Sequence, residues 1–189
     1  MHTRMIKNLG VYDARLGVTA IKLGYEVKIT TQDMHVFDPT WYKLLKKKLL
    51  TKLRSFSRTI QNKLLSTKIR SCISFLELGG EIVFEPISKE LLISKLQVHP
   101  IIASLCSTYL YREERPNDEC SNFRYGHFVV LNGYDPKTDK FFITDPWHSI
   151  PFSKTGRYEV KSEELITAIY LAEATYDSSI MEIYPKGSI

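Results

Sequence analysis

The segment GHFVVLNGYDPKTDKFFITDPW, Gly126 to Trp147, constrains the fold more than any other part of the chain. Two apolar runs, Phe128–Leu131 and Phe141–Thr144, flank a stretch of Asp, Pro and Lys, the pattern of a β-hairpin. A five-residue loop, Tyr134 to Thr138, centred on Pro136, sets His127 across from Asp145, Val129 from Ile143 and Leu131 from Phe141. Directly opposed residues on antiparallel strands share a face, with side chains about 5 Å apart. The hairpin therefore brings an imidazole and a carboxylate together at its open end. A slip of one residue would send them to opposite faces.

The remaining segments frame this hairpin. Asp13 is placed to cap a helix through Tyr25, with Leu16, Ala20 and Leu23 at helical spacing and Gly24 near its end. EVKITT, Glu26 to Thr31, alternates as a strand does. After Pro39 and Thr40, the residues Leu45, Leu49, Leu53, Phe56, Ile60 and Leu64 recur every three or four positions. They form the apolar face of one helix, or of two joined near Ser55 to Ser57. A further helix is expected over Lys68 to Leu78, stopped by Gly79-Gly80, and a short strand over Glu81 to Phe84. A capped helix follows over Ser88 to Val98, then a buried strand over Pro100 to Leu105. Arg112 to Arg124 reads as a surface loop. Ser162 caps a late helix, SEELITAIYLAE, and Ile180 to Tyr184 is a closing strand. The order predicts an α+β fold, with helices packed on an antiparallel sheet, in a single domain over 1–189 that contains a basic helical region at 40–78.

Composition narrows the class. With 189 residues, 43% of them hydrophobic, the chain can bury a core of one ordinary domain. No apolar run approaches the roughly 20 residues of a bilayer span, and the N-terminus lacks the continuous apolar stretch of a secretory signal. Cys72, Cys106 and Cys120 are too widely spaced for a disulfide framework or a zinc site, so a reducing, cytoplasmic setting is expected. No phosphate loop or dinucleotide fingerprint occurs, and neither a cofactor nor a metal is expected.

Charge is uneven. The net +5 conceals ten basic and no acidic residues between Lys43 and Arg70, which leaves −5 for the rest of the chain. The bland reading packs the leucine stripe on the core and leaves the lysines as a solvated outer face. The functional reading presents Lys43, Lys46, Lys47, Lys48, Lys52, Arg54 and Arg58 to an anionic membrane surface. Nucleic acid fits less well, because Trp41 and Tyr42 flank the basic residues without interleaving among them.

The pairing of His127 with Asp145 has a chemical use. A carboxylate that holds one imidazole nitrogen fixes the tautomer and presents the other nitrogen to a nucleophile's proton. The plain alternative is that each satisfies a strand end, with Asp145-Pro146 closing the ladder. The run His127-Phe128-Val129-Val130, then Gly133-Tyr134-Asp135 and Asp145-Pro146, resembles the second half of papain-like cysteine peptidases of the bacteriocin-processing, double-glycine-leader type. It is more similar still to their stand-alone bacterial relatives, the "peptidase C-thirty-nine-like" group. Gly10 to Val27 and Pro100 to Leu105 resemble that group's helix-to-strand passage and its strand before the histidine. The resemblance implies a papain-like fold, peptide-bond hydrolysis, His127 as general base, Asp145 as its orienter, and a peptide or protein as substrate or partner. Some eukaryotic proteins described as guanylyl-cyclase-like share the hairpin pattern, but paired metal-binding carboxylates are lacking here.

The family's nucleophilic cysteine opens an N-terminal helix and follows a glutamine. This chain has no cysteine before Cys72 and no glutamine before Gln32. The expectation is that the segment supplying both is missing, so that the chain is incomplete or an inactive pseudopeptidase that binds a peptide or protein. Cys106, ending an apolar strand beside His127, and Cys120, in the loop before it, are the weak substitutes. Cys72, within the apolar helical stretch SCISFLELG, reads as a structural thiol. Tyr125, Phe128, Tyr134 and Trp147 are near enough in sequence to line a cleft, although such residues more often pack a core or rim.

Overall fold

A computed structural model describes residues 11–112, 126–147, 150–175 and 177–188. The chain is a mixed α+β protein with six α-helices and seven strands among these residues. They fall into two compact units, one made of the described residues up to 85 and from 181 on, the other of 86–180.

The first unit holds α1 (Asp13–Lys22), β1 (Tyr25–Thr31), α2 (Lys46–Thr59), α3 (Lys63–Glu77), β2 (Glu81–Val83) and most of β7 (Ser179–Pro185), with strand order β2-β1-β7. Helix α1 buries Ala14, Gly17 and Ala20, and its N-cap is Tyr12, without a side-chain cap. Asp13 is instead its first helical residue, and Leu23 is exposed. Gly17 has no room for a side chain, since a Cβ there would lie 2.6 Å from the Phe75 ring. Strands β1 and β2 pair in parallel, Ile29 opposite Ile82. The sheet is therefore not purely antiparallel, as the sequence had suggested. A parallel pair needs a long crossover, and α2 and α3 supply it.

The break between these helices lies at Ile60–Asn62 rather than Ser55–Ser57. Ile60 turns extended, and the Asn62 side chain accepts hydrogen bonds from the backbone N–H groups of Leu64 and Leu65. That cap starts α3 at Lys63, five residues before the expected Lys68. Leu49 and Leu53 of the leucine stripe are buried, whereas Leu45 is exposed.

The second unit holds α4 (Lys89–Leu96), β3 (Ile101–Cys106), α5 (Ser107–Tyr111), β4 (Gly126–Asp135), β5 (Lys140–Thr144), β6 (Arg157–Lys161) and α6 (Ser162–Leu171). Its strands run β3-β4-β5-β6, each antiparallel to the next. Ser88 caps α4 as expected, its side chain accepting from the Leu91 N–H at 3.2 Å. One face of the sheet carries Ile101, Ala103, Leu105, Val129, Leu131, Phe141, Ile143 and Val160 into a single core cluster with Leu165, Ala168 and Ile169 of α6. Each Val, Leu, Ile or Phe among them contributes about 1.5–3 kcal/mol by leaving water. Strand β6 and helix α5 were not anticipated. Strand β6 is mostly polar, with Val160 buried and Tyr158 half-buried on the inner face. Helix α5 is five residues long, too short to show a period.

Candidate functional site: a buried carboxylate holding a histidine

The hairpin turn is tighter than the sequence suggests. Asp135 pairs with Lys140, so the turn is Pro136–Asp139. The Asp135 carboxylate stabilises it by accepting from the Lys137 N–H at 2.9 Å and the Thr138 hydroxyl at 2.7 Å. Asp139 takes the left-handed conformation (φ 54°) that leads into β5. From this turn the pairing Gly133↔Phe142, extended regularly, would put Asp145 opposite Val130, on the face away from His127. A β-bulge between Leu131 and Gly133 absorbs Asn132 and restores the phase, giving Leu131↔Ile143 and Val130↔Thr144. His127 and Asp145 thus share a face as diagonal rather than opposed neighbours. The anticipated register is corrected by two residues, which leaves the face unchanged.

The two side chains meet. His127 Nε2 lies 2.7 Å from Asp145 Oδ1. The same oxygen accepts the Trp147 backbone N–H at 2.8 Å, and Oδ2 accepts the Tyr158 hydroxyl at 2.8 Å and the Tyr111 hydroxyl. Four donors fill the acceptor sites of a carboxylate whose side chain is fully buried. Burial alone would raise the Asp145 pKa. The hydrogen bonds from His127, Tyr111 and the Trp147 N–H outweigh it and hold the carboxyl below its ordinary range. Burial first, then the neighbouring Tyr111 and Asp145 oxygens, hold the Tyr158 hydroxyl well above the usual phenol range, so it serves as a donor.

An ionised carboxylate can only accept. Nε2 of His127 therefore carries the proton, and the lone pair belongs to Nδ1. Nδ1 makes no hydrogen bond among the described residues, and the side chain is 20% exposed. The arrangement can take a proton from an approaching thiol or hydroxyl, with the charge that forms on the imidazole lying against Asp145.

Aromatic rings frame the pair. Tyr111 meets His127 edge-on at 6.1 Å and Phe152 at 5.8 Å, and Phe152 meets Tyr158 at 4.9 Å. Tyr111, Phe152 and Tyr158 escaped sequence reasoning. The one available signal was the alternation Tyr158/Val160 in RYEVK, which puts a phenol on the inner face. Gly126 serves the site by its size, since a Cβ there would lie 2.6 Å from Thr175 Oγ1. Of the aromatic residues considered from sequence, Trp147 is half-exposed beside the pair, and Phe128 alternates onto the opposite face. Tyr134 sits at the turn, bonded to Asp139, and Tyr125 lies outside the described residues.

The cysteines are placed as follows. Cys106 is a buried free thiol opposite Gly126, while Leu105 is opposite His127. Alternation turns the Cys106 side chain to the other face of the sheet, so it does not meet the imidazole. Cys72 is buried on α3 of the first unit. Cys120 lies outside the described residues.

The basic region divides. Lys43, Lys46, Lys47, Lys48, Lys52, Arg54 and Arg58 are exposed, as expected. Lys68 is not part of a solvated face. It is 1% exposed, with its ammonium 2.8 Å from Asp13 and 3.8 Å from Asp33, both also buried. Burial pushes the Asp33 carboxyl up, against the pull of Lys68. No family model matches the chain, and no curated protein matches it. Among the described residues no helix is long and apolar enough to cross a membrane.

Proposed function

We propose that the chain has a papain-like, thiol-peptidase-type fold, in which His127 is the general base of acyl transfer on a peptide, Asp145 its orienting partner, and the thiol nucleophile comes from outside the described residues. The observation that carries this reading is the filled shell of Asp145. A carboxylate with three hydrogen bonds besides the one from His127 keeps its charge and cannot rotate. It therefore fixes one imidazole tautomer with Nδ1 outward, which is what abstraction of a nucleophile's proton requires. A histidine and an aspartate that merely close two strands need no such shell. The resemblance of the His127–Asp135 and Asp145-Pro146 motifs to the double-glycine-leader peptidases points the same way, toward Cys-His-Asp hydrolysis.

A second reading has its own support. Cys72 and Cys106 are both buried, and Cys106 faces away from the imidazole. On that basis the domain binds a peptide beside Tyr111, Phe152 and Trp147 without cutting it. Incubation with a diverse peptide mixture, followed by mass spectrometry, separates the two. Cleavage that iodoacetamide blocks, and that falls about 100-fold or more in His127→Ala, supports the peptidase. Peptides retained intact favour the binding domain, and cleavage that survives His127→Ala overturns the role given to the pair.

A further inference from the structure

We propose that the outer face of α2, with the segment leading into it, docks on an anionic lipid bilayer surface. The inference concerns the first unit alone and is independent of the peptidase reading.

Leu49 and Leu53 anchor α2 by one side, at 2% and 0% exposure. The opposite side presents Lys47, Arg54 and Arg58 over about 17 Å of helix, with Lys48 on its flank and Lys52 nearer the buried edge, all five exposed. Few acids answer them. Arg54 pairs with Glu77 at 2.7 Å, and Lys52 lends its field to Asp38. Lys47, Lys48 and Arg58 have no ion pair among the described residues. Lys46 is tied back by donating to the Gly80 carbonyl at 3.2 Å.

The arrangement works against the helix that carries it. Lys46, Lys47 and Lys48 occupy the first turn, with no acidic residue there, where the helix dipole disfavours cations. Lys48 and Lys52, and Arg54 and Arg58, are like-charged pairs four residues apart, which weaken a helix further. A nearby anionic surface relieves both.

Apolar side chains select the kind of surface. Leu45 is 76% exposed and Tyr42 59% exposed, set among Lys43, Lys46 and Lys47. Trp41, the chain neighbour of Tyr42, lines a groove of about 420 Å³ together with Met34, Lys52 and Phe56 among others. Leucine and aromatic rings flanked by lysines match the headgroup boundary of a membrane, where an apolar tip enters and the cations meet phosphate. A nucleic-acid backbone offers the same phosphate but gives an exposed leucine nothing to enter.

The test is co-sedimentation of the full chain with vesicles of phosphatidylcholine alone, and with about one third phosphatidylserine, at low and at physiological salt. Binding is expected only to the phosphatidylserine vesicles. Lys47→Gln, Lys48→Gln and Lys52→Gln together are expected to reduce it about 100-fold, at about 1 kcal/mol for each cation near the surface. Leu45→Ser is expected to reduce it about fivefold while leaving any weak binding of duplex DNA unchanged. Circular dichroism verifies that each variant is folded. Failure to bind the anionic vesicles at low salt overturns the proposal, as does binding that the triple variant retains. DNA binding tighter than vesicle binding, with Leu45→Ser neutral to both, overturns it in favour of a nucleic-acid surface.

Discussion

Replacing Tyr158 by phenylalanine isolates one of the bonds that hold Asp145. The ring stays, so its edge-on contact with Phe152 at 4.9 Å is kept, and only the hydroxyl that donates to Oδ2 at 2.8 Å is lost. A hydrogen bond to a charged group is worth about 1.5–3 kcal/mol. Tyr111 still donates to the same oxygen, so no acceptor is orphaned, and the loss belongs near the lower end, about 1.5 kcal/mol at neutral pH. The pH dependence carries the diagnosis. Asp145 has a depressed folded-state pKa, so its contribution is fully present above the unfolded value of about 3.9 and is lost as pH falls through the folded value. The gap between wild type and Tyr158→Phe should therefore be full at pH 7 and narrow steadily in acid below about pH 4. Urea unfolding read by Trp147 fluorescence, in a Trp41→Phe background that leaves a single tryptophan, reports on the second unit. A gap that is the same at pH 7 and in acid, or one below about 0.5 kcal/mol at pH 7, would refute the claim that Tyr158 bonds an ionised carboxylate.

Gly126→Ala forces a methyl against Thr175 and should shift His127, lowering any peptide cleavage about tenfold, with Thr175→Ala in the same chain restoring it. If the double variant is no better than the single, the packing account of this glycine is wrong. Lys68→Met removes the ammonium that faces the buried carboxylates of Asp13 and Asp33 and should destabilise the chain by about 3–5 kcal/mol at neutral pH. Asp33, already pushed up by burial, takes a proton readily, so that loss should shrink as pH falls. Equal losses in thermal melts at pH 7 and at pH 4 would contradict a charge-based origin.

The hairpin was legible because its strands alternate and its turn is rich in Asp, Pro and Lys. Its register was legible only in part. The turn length depends on Asp135 and Asp139, the phase depends on the bulge at Asn132, and neither leaves a periodic trace. Two errors of register happened to preserve parity, and so His127 and Asp145 still met. The rest of the carboxylate's shell was not legible. Tyr111 sits on a helix of five residues and Tyr158 on a strand of mostly polar ones, so hydrophobic patterning passes over both. Its place in a basic run makes Lys68 look solvated. Only the meeting of α1, β1 and α3, with contacts far apart in sequence, makes it an interior ion-pair partner. The division into α2 and α3 turned on a single cap, Asn62, which competes poorly with the two serines at 55 and 57 as a visible signal.

The protonation of one ring tests the central claim most directly. Nitrogen-15 NMR of the His127 imidazole at neutral pH should show a proton fixed on Nε2, shifted far downfield by its bond to Asp145, and a bare Nδ1. Asp145→Asn should move that proton upfield and speed its exchange. A proton on Nδ1, or rapid exchange between the two tautomers in the unaltered protein, would mean that the carboxylate does not hold the histidine as a base.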